Sequence, residues 1–84
     1  MARGDAFVRA HDVASARLFY ERATEMGDGH AALRMGATFD RAFLDHAGIH
    51  GIEGNQREAL SWYRRARDLG DAEAERMLNT LELH

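Results

Sequence analysis

Apolar residues recur every three or four positions over most of the chain, which is the spacing of one face of an α-helix. The clearest case is the stretch 55–71, in which Ala59, Tyr63 and Ala66 share one face and Asn55 is a suitable N-cap. A small residue one turn on either side of a tyrosine allows a neighbouring helix to approach closely. This stretch therefore predicts a helix that packs against a partner helix.

The same pattern occurs 43 residues earlier in the chain, in the stretch 12–28 (Ala16 against Ala59). Self-similarity at a fixed spacing of about 20 to 50 residues is the signature of a stacked repeat. Each copy predicts a helix, a Gly-Asp turn and a second helix. The aligned residues of the earlier and later copies are Ala16, Tyr20, Arg22, Ala23, Gly27, Asp28 and Ala59, Tyr63, Arg65, Ala66, Gly70, Asp71.

The whole pattern predicts an all-α fold of about five helices, arranged as an α/α superhelix of stacked antiparallel helix pairs. We expect one small helical-repeat domain over residues 1–84, which can be a piece of a longer protein. A glycine inside the third helix, Gly36, predicts a close crossing by another helix. Ile49 and Ile52 in the following connector are expected to pack into the helix layer. The predicted helices cover residues 3–10, 12–26, 28–46, 55–69 and 71–82.

Composition narrows the choice of function. The chain has 84 residues, a net charge of −3 and no cysteine, and all eleven of its Lys and Arg residues are arginine. An acidic balance argues against a nucleic-acid partner. The absence of both a signal-peptide core and a long apolar run argues against a membrane partner. We expect a cytoplasmic location for this segment and a GC-rich bacterial origin.

One part of the chain resembles a known family. The Sel-one-like repeat, a relative of the tetratricopeptide repeat, has the pattern L-G-x-x-Y, then G-x-G-V-x-x-D, then A-x-x-W-Y-x-x-A-A-x-x-G. The resemblance covers approximately residues 12–81. The residues that carry it are Met35-Gly36, Phe39, Gly51-Ile52, Asn55, Ala59, Trp62-Tyr63, Ala66 and Gly70.

Two departures from that pattern bear on the fold. Between Gly36 and Gly51 the chain carries seven residues more than the family pattern, which we interpret as two extra turns on the third helix, at 41–47. The usual second alanine after Tyr63 is Arg67 here.

The resemblance implies a scaffold that holds a peptide or another protein on a concave helical face, with no catalytic residue and no cofactor. We expect this groove between the second, third and fourth predicted helices. An alternative is a terminal cap or self-association module that forms a homo-oligomer. Trp62 is expected in the core, and would be a leading contact if exposed. The candidate partner-binding residues are Tyr20, Arg22, Arg41, Tyr63 and Arg65.

A metal site is the least favoured alternative. His46 and His50 are separated by four residues, with Asp45 adjacent, and this spacing could place two imidazoles on one metal ion if a helix continued through them. Gly48 lies between the two histidines and predicts that the helix ends first. We therefore expect surface histidines in a loop and assign no metal ligands.

Overall fold

The computed structural model describes residues 12–82, and this part of the chain contains five α-helices and no strand. The all-α prediction is therefore confirmed, while the helix predicted at 3–10 lies outside the described residues. Within 12–82 no helix has the length and apolar character needed to cross a membrane. The helices are α1 (Val13–Glu25), α2 (Gly29–Ala37), α3 (Arg41–His46), α4 (Gln56–Asp68) and α5 (Ala74–Glu82).

The two long helices, α1 and α4, begin in the same way. Each is 13 residues long and has a capping side chain just before its first residue. Asp12 accepts a hydrogen bond from the Ser15 amide at 3.2 Å, and Asn55 accepts one from the Glu58 amide at 3.1 Å. These bonds satisfy amides that have no partner within the first turn of a helix.

The same helices also end in the same turn. Gly27 and Gly70 follow them with φ of 93° and 91°, a left-handed conformation that favours glycine. The next amide then reaches back across the turn. Asp28 N donates to Ala23 O at 3.1 Å, and Asp71 N donates to Ala66 O at 3.0 Å. The predicted Gly-Asp turns are thus present in both copies.

The predicted third helix, 28–46, is wrong as a single element. Its first part ends at Ala37, and α3 begins at Arg41 as a separate helix. Asp40 produces the break, because one of its carboxylate oxygens accepts the Ala42 amide at 3.0 Å as a new N-cap, while the other accepts the Tyr63 hydroxyl at 2.8 Å. The extra residues 41–47 therefore form a short helix of their own and do not extend α2.

The predicted start of the last helix, at residue 71, is also wrong. α5 begins at Ala74, and residues 71–73 form a turn. The Asp71 carboxylate has its Oδ1 at 3.4 Å from His30 Nδ1 on α2. Asp71 thus lies against a neighbouring helix.

The core lies on both sides of α2. One cluster joins α2 to α1, α3 and the connector, and the other joins α2 to α4 and α5. Trp62 is partly buried and packs against both clusters. The buried members of the first are Val13, Ala16, Tyr20, Met35, Leu44 and Ile49, and those of the second are Ala32, Leu33, Ala59, Tyr63, Ala66, Ala74 and Leu78.

Helices α2 and α4 cross at close range at Gly36. A Cβ placed on Gly36 would lie 2.6 Å from Tyr63 Cδ1 and 3.2 Å from Ala59 O. A side chain at this position would require the Tyr63 ring or a helix to shift, and the close crossing predicted from this glycine is confirmed.

The connector between α3 and α4 is anchored along its length. Ile49 is buried and its amide donates to Leu44 O at 2.9 Å, while the partly buried Ile52 packs on the same core cluster. At its far end Asn55 N donates to Phe39 O at 2.7 Å. The predicted packing of both isoleucines is confirmed.

Candidate functional site

Two of the five predicted contact residues lie in the core. Tyr20 is 1% exposed and Tyr63 is fully buried. Small residues one turn away leave a gap on each helix, and the ring fills it, so neither side chain offers surface to a partner. The burial of these two tyrosines gives no support to the prediction that they contact a partner.

The three predicted arginines are exposed, on three different helices. Arg22 lies in the last turn of α1. Arg65 lies on α4 with its guanidinium carbon 5.4 Å from the centroid of the Trp62 ring. Arg41 opens α3, where its Nε is 3.1 Å from Asp45 Oδ1 and its Nη1 donates to Ile52 O at 2.8 Å. The structure therefore places them in three separate surroundings.

Arg41 lines an open cleft of about 560 Å³, which we call the Arg41 cleft. It lies between the α2–α3 turn, the start of α4 and the end of α5. Gln56 closes one side, because its Nε2 donates to Leu81 O at 3.2 Å. The lining combines apolar and polar side chains: Phe39, Asp40, Arg41, Ala42, Asp45, Asn55, Gln56 and Leu81, with Gly54.

A second cleft of about 380 Å³ lies on the other side of Phe39, and we call it the Arg17 cleft. Arg17 reaches it from α1. Its guanidinium carbon lies 3.8 Å from the centroid of the Phe39 ring, a cation–π contact. The rest of the lining is the connector: Gly51, Ile52, Glu53, Gly54 and Asn55.

The two clefts adjoin, because Phe39, Gly54 and Asn55 line both of them. The connector passes very close to the α2–α3 turn at this point. A Cβ on Gly54 would lie 3.1 Å from Arg41 Cβ and 3.2 Å from Phe39 O. The absence of a side chain at position 54 therefore allows the close approach that brings the two clefts together.

Burial shifts the pKa of two side chains here, Arg17 at the cleft and Tyr63 below it. Partial burial lowers the pKa of Arg17, and the nearby Glu58 carboxylate acts in the opposite direction. Burial raises the pKa of Tyr63, and its hydrogen bond to Asp40 raises it further. Both oxygens of the Asp40 carboxylate already accept hydrogen bonds from the protein. Asp40 and Tyr63 thus form a structural pair below the clefts.

A third cleft, of about 220 Å³, lies between α2 and α5. Its lining combines the apolar side chains of Leu33, Ala37, Phe43 and Met77 with three polar side chains. None of the five predicted contact residues lines it.

The residues of the least favoured metal hypothesis are not arranged around one point. α3 ends at His46, and Gly48 follows with φ of 72°, so His46 and His50 do not share a helix face. Asp45 is paired with Arg41 at 3.0 Å. Among residues 12–82, no three His, Asp or Glu side chains lie close enough together to hold a metal ion.

Sequence reasoning did not single out Arg17 as a site residue. A signal for Arg17 was present in the repeat, since the equivalent position 43 residues later is Leu60, a partly buried apolar residue. A cation at a position where the other copy has leucine indicates a local polar role. Comparison of the chain with protein-family models, with curated proteins and with solved structures finds no match.

Proposed function

We propose that this chain is a non-enzymatic protein-interaction module that binds a segment of another polypeptide along the adjoining Arg17 and Arg41 clefts. The observation that carries the proposal is their shared lining of Phe39, Gly54 and Asn55, which joins them into one continuous surface. This surface extends from α1 past the α2–α3 turn and the connector to the start of α4 and the end of α5.

The chemistry of the lining suits a polypeptide. Phe39, Ala42 and Leu81 offer apolar contact, while Arg41 and Gln56 offer hydrogen-bond donors at the edges. Binding surfaces for polypeptides combine an apolar centre with a polar rim in this way. Each cleft also falls within the range of about 300–1,000 Å³ that is typical of ligand sites.

The fold proposed for this function is a stack of helix pairs of the Sel-one-like type. Two observations support it. The first is the identical length, capping and glycine turn of α1 and α4, 43 residues apart. The second is that α2 and α5 follow those turns and each buries an alanine at equivalent positions, Ala31 and Ala74.

A peptide-library selection on the immobilised chain tests this function. The blocking variant is Ala42→Arg, at an exposed helix position that lines the Arg41 cleft, and the matched control is Ser61→Arg, at an exposed position of α4 outside both clefts. We expect selected peptides to bind the control as they bind the parent chain, and to bind Ala42→Arg at least about tenfold more weakly, a change of about 1.4 kcal/mol. Selection of no peptide, or equal binding by Ala42→Arg, would overturn the proposal.

Self-association is a second candidate, favoured by three large apolar side chains on the surface. Leu18 is 54% exposed, Met26 is 89% exposed and Leu69 is 40% exposed. A dimer that covers Met26 should dissociate when Met26→Arg is introduced, and sedimentation equilibrium measures this directly. A parent chain that sediments as a monomer at every concentration excludes it.

A further inference from the structure

The guanidinium of Arg17 is held in a fixed orientation by two protein groups. Its Nε donates to Thr38 Oγ1 at 3.0 Å and its Nη2 donates to Thr38 O at 2.8 Å, so the side edge of the group is engaged at the end of α2. The Phe39 ring lies 3.8 Å from its central carbon. Together these contacts restrain the side chain before any ligand arrives.

The other edge of the same group has no hydrogen-bond partner among residues 12–82. A guanidinium has five N–H donors in a planar fork, and the bonds to Thr38 take one from Nε and one from Nη2. The remaining Nη1 and Nη2 hydrogens form a second fork. The arginine ion pairs found within residues 12–82 involve Arg41, Arg64, Arg67 and Arg76, and no carboxylate in that range lies within ion-pair distance of Arg17.

This arrangement leaves a partly buried positive charge without an anionic partner in the described part of the chain. Burial of a cation is unfavourable unless hydrogen bonds or an opposite charge compensate it. The two bonds to Thr38 offset part of the cost of burying the guanidinium. The Glu58 carboxylate adds a Coulombic attraction without an ion-pair contact. An anion in the adjacent cleft of about 380 Å³ would complete the compensation.

We propose that the Arg17 cleft is a subsite for a planar carboxylate of the bound polypeptide, which pairs with the outer edge of the Arg17 guanidinium. The carboxylate belongs to an acidic side chain or to a chain terminus of that polypeptide, so this inference rests on the proposed function. Arginine pairs with carboxylates through two parallel N–H···O bonds, and such paired bonds are stronger and more directional than single ones. Phe39 keeps the guanidinium plane in place for that contact.

The charges around the cleft favour a carboxylate over a phosphate. Glu53 is part of the lining, and Glu58 acts on Arg17 from the first turn of α4. A phosphate group carries up to two negative charges at neutral pH, so both glutamates repel it more strongly than they repel a carboxylate with one charge.

Sodium acetate is the first probe, because it tests the subsite without any peptide. The ¹⁵N-edited NMR signal of the Arg17 Nε–H is followed during titration, with sodium chloride at equal ionic strength as the reference. We expect a saturable shift at Arg17 and only small, linear shifts at Arg22 and Arg57, which are exposed and line neither cleft. Linear shifts of the same size at all three arginines would overturn the proposal.

Two variants separate a carboxylate site from a purely structural arginine. The Gly54 amide, in the lining of the cleft, serves as a second reporter and should shift saturably in the parent chain. Arg17→Lys keeps the charge and loses the fork, and should abolish that shift. Glu58→Gln leaves the bonds to Thr38 intact and removes a repelling charge, so acetate should bind about two- to fivefold more tightly, the size of an exposed charge interaction. Unchanged acetate affinity in both variants would refute the carboxylate site.

Peptide binding and acetate titration together distinguish a failure of the carboxylate subsite from a failure of the proposed function. Selected peptides that bind the parent chain and Arg17→Lys equally well, yet lose affinity for Ala42→Arg, would leave polypeptide binding in place and refute the carboxylate subsite. Saturable acetate binding without any selected peptide would support the subsite and refute polypeptide binding.

Discussion

Replacement of Gly36 by alanine tests the helix crossing on which the fold depends. In the interior of an ordinary helix this change stabilises a protein by about 1 kcal/mol, because alanine has the higher helix propensity. Here the new Cβ would lie 2.6 Å from Tyr63 Cδ1 and Cε1, and 3.2 Å from Ala59 O. Carbon atoms pack best at about 3.5–4.0 Å, so the ring or the helix has to move.

The expected sign follows from the sizes of the two effects. Overpacking costs about 1–3 kcal/mol, and moving the ring weakens its hydrogen bond to Asp40, so the combined loss is about 2–4 kcal/mol. After the gain in helix propensity, we expect Gly36→Ala to lower the free energy of unfolding by about 1–3 kcal/mol. A loss of that size is a large fraction of the stability of a domain this small.

Urea unfolding followed by the fluorescence of Trp62, the single tryptophan, measures this change. Asn79→Ala, at an exposed position of α5, is the control and should gain about 0.5 kcal/mol from helix propensity alone. In a Tyr63→Leu background, which lacks the ring, the penalty of Gly36→Ala should largely disappear. A Gly36→Ala variant as stable as the parent chain would refute the crossing described here.

Three further changes test the core pair and the turns. Tyr63→Phe removes the hydroxyl that donates to the buried Asp40 carboxylate, and should lower the free energy of unfolding by about 1–3 kcal/mol. Urea unfolding measures the change, and a variant with no loss of stability would contradict the 2.8 Å bond. Because the pKa of Tyr63 is raised in the folded chain, the stability it confers is fully present below an unfolded-state pKa of about 10 and is lost as pH rises above that value. The stability difference between the parent chain and Tyr63→Phe should therefore be constant from neutral pH to about 9 and shrink above about 10. A difference that stays constant at all pH values would refute the raised pKa of Tyr63. Gly27→Ala and Gly70→Ala should each cost about 1–2 kcal/mol by thermal unfolding, since both positions have positive φ and no atom within 4 Å of a new Cβ, and clearly unequal losses would contradict the matching turns.

The helices and turns that sequence reasoning predicted are those with local causes. The starts of α1 and α4 depend on side chains that bond to amides three residues away, and their ends depend on one glycine each. Such signals lie within a few residues of the feature they produce. The same reasoning placed Gly36 at a close crossing, because glycine weakens a helix and is tolerated on a buried face mainly where a neighbouring backbone needs the space.

The break between α2 and α3 has a distant cause, which explains why it was missed. Asp40 is held in the core by Tyr63, 23 residues further along the chain, and without that contact the sequence around it is typical of continuous helix. Apolar periodicity runs through the break and gives no sign of it. A buried aspartate in a helical pattern indicates a helix break only when its hydrogen-bond partner is known.

The candidate site shows a second limit of sequence reasoning. The repeat pattern gives Tyr20 and Tyr63 two roles, filling gaps between helices and contacting a partner, and their burial is compatible only with the first. Helical period identifies the residues that share a face but does not show how much of a large side chain stays exposed. The Arg17 cleft was beyond prediction, because it needs Arg17, Phe39 and the connector to meet in space.

The connector has the properties that a binding surface made from a loop requires. A flexible loop loses conformational entropy when it binds, and this loss weakens affinity unless the loop is already ordered. Here the Asn55 amide is bonded to Phe39 O at 2.7 Å, the Arg41 guanidinium to Ile52 O at 2.8 Å, and Ile49 is buried beneath them. Most of the ordering therefore takes place when the chain folds, so the connector can serve as a preorganised wall for both clefts. Both clefts draw most of their lining from the segment between α2 and α4: Arg41, Ala42 and Asp45 of α3 line one, and residues 51–55 of the connector line the other.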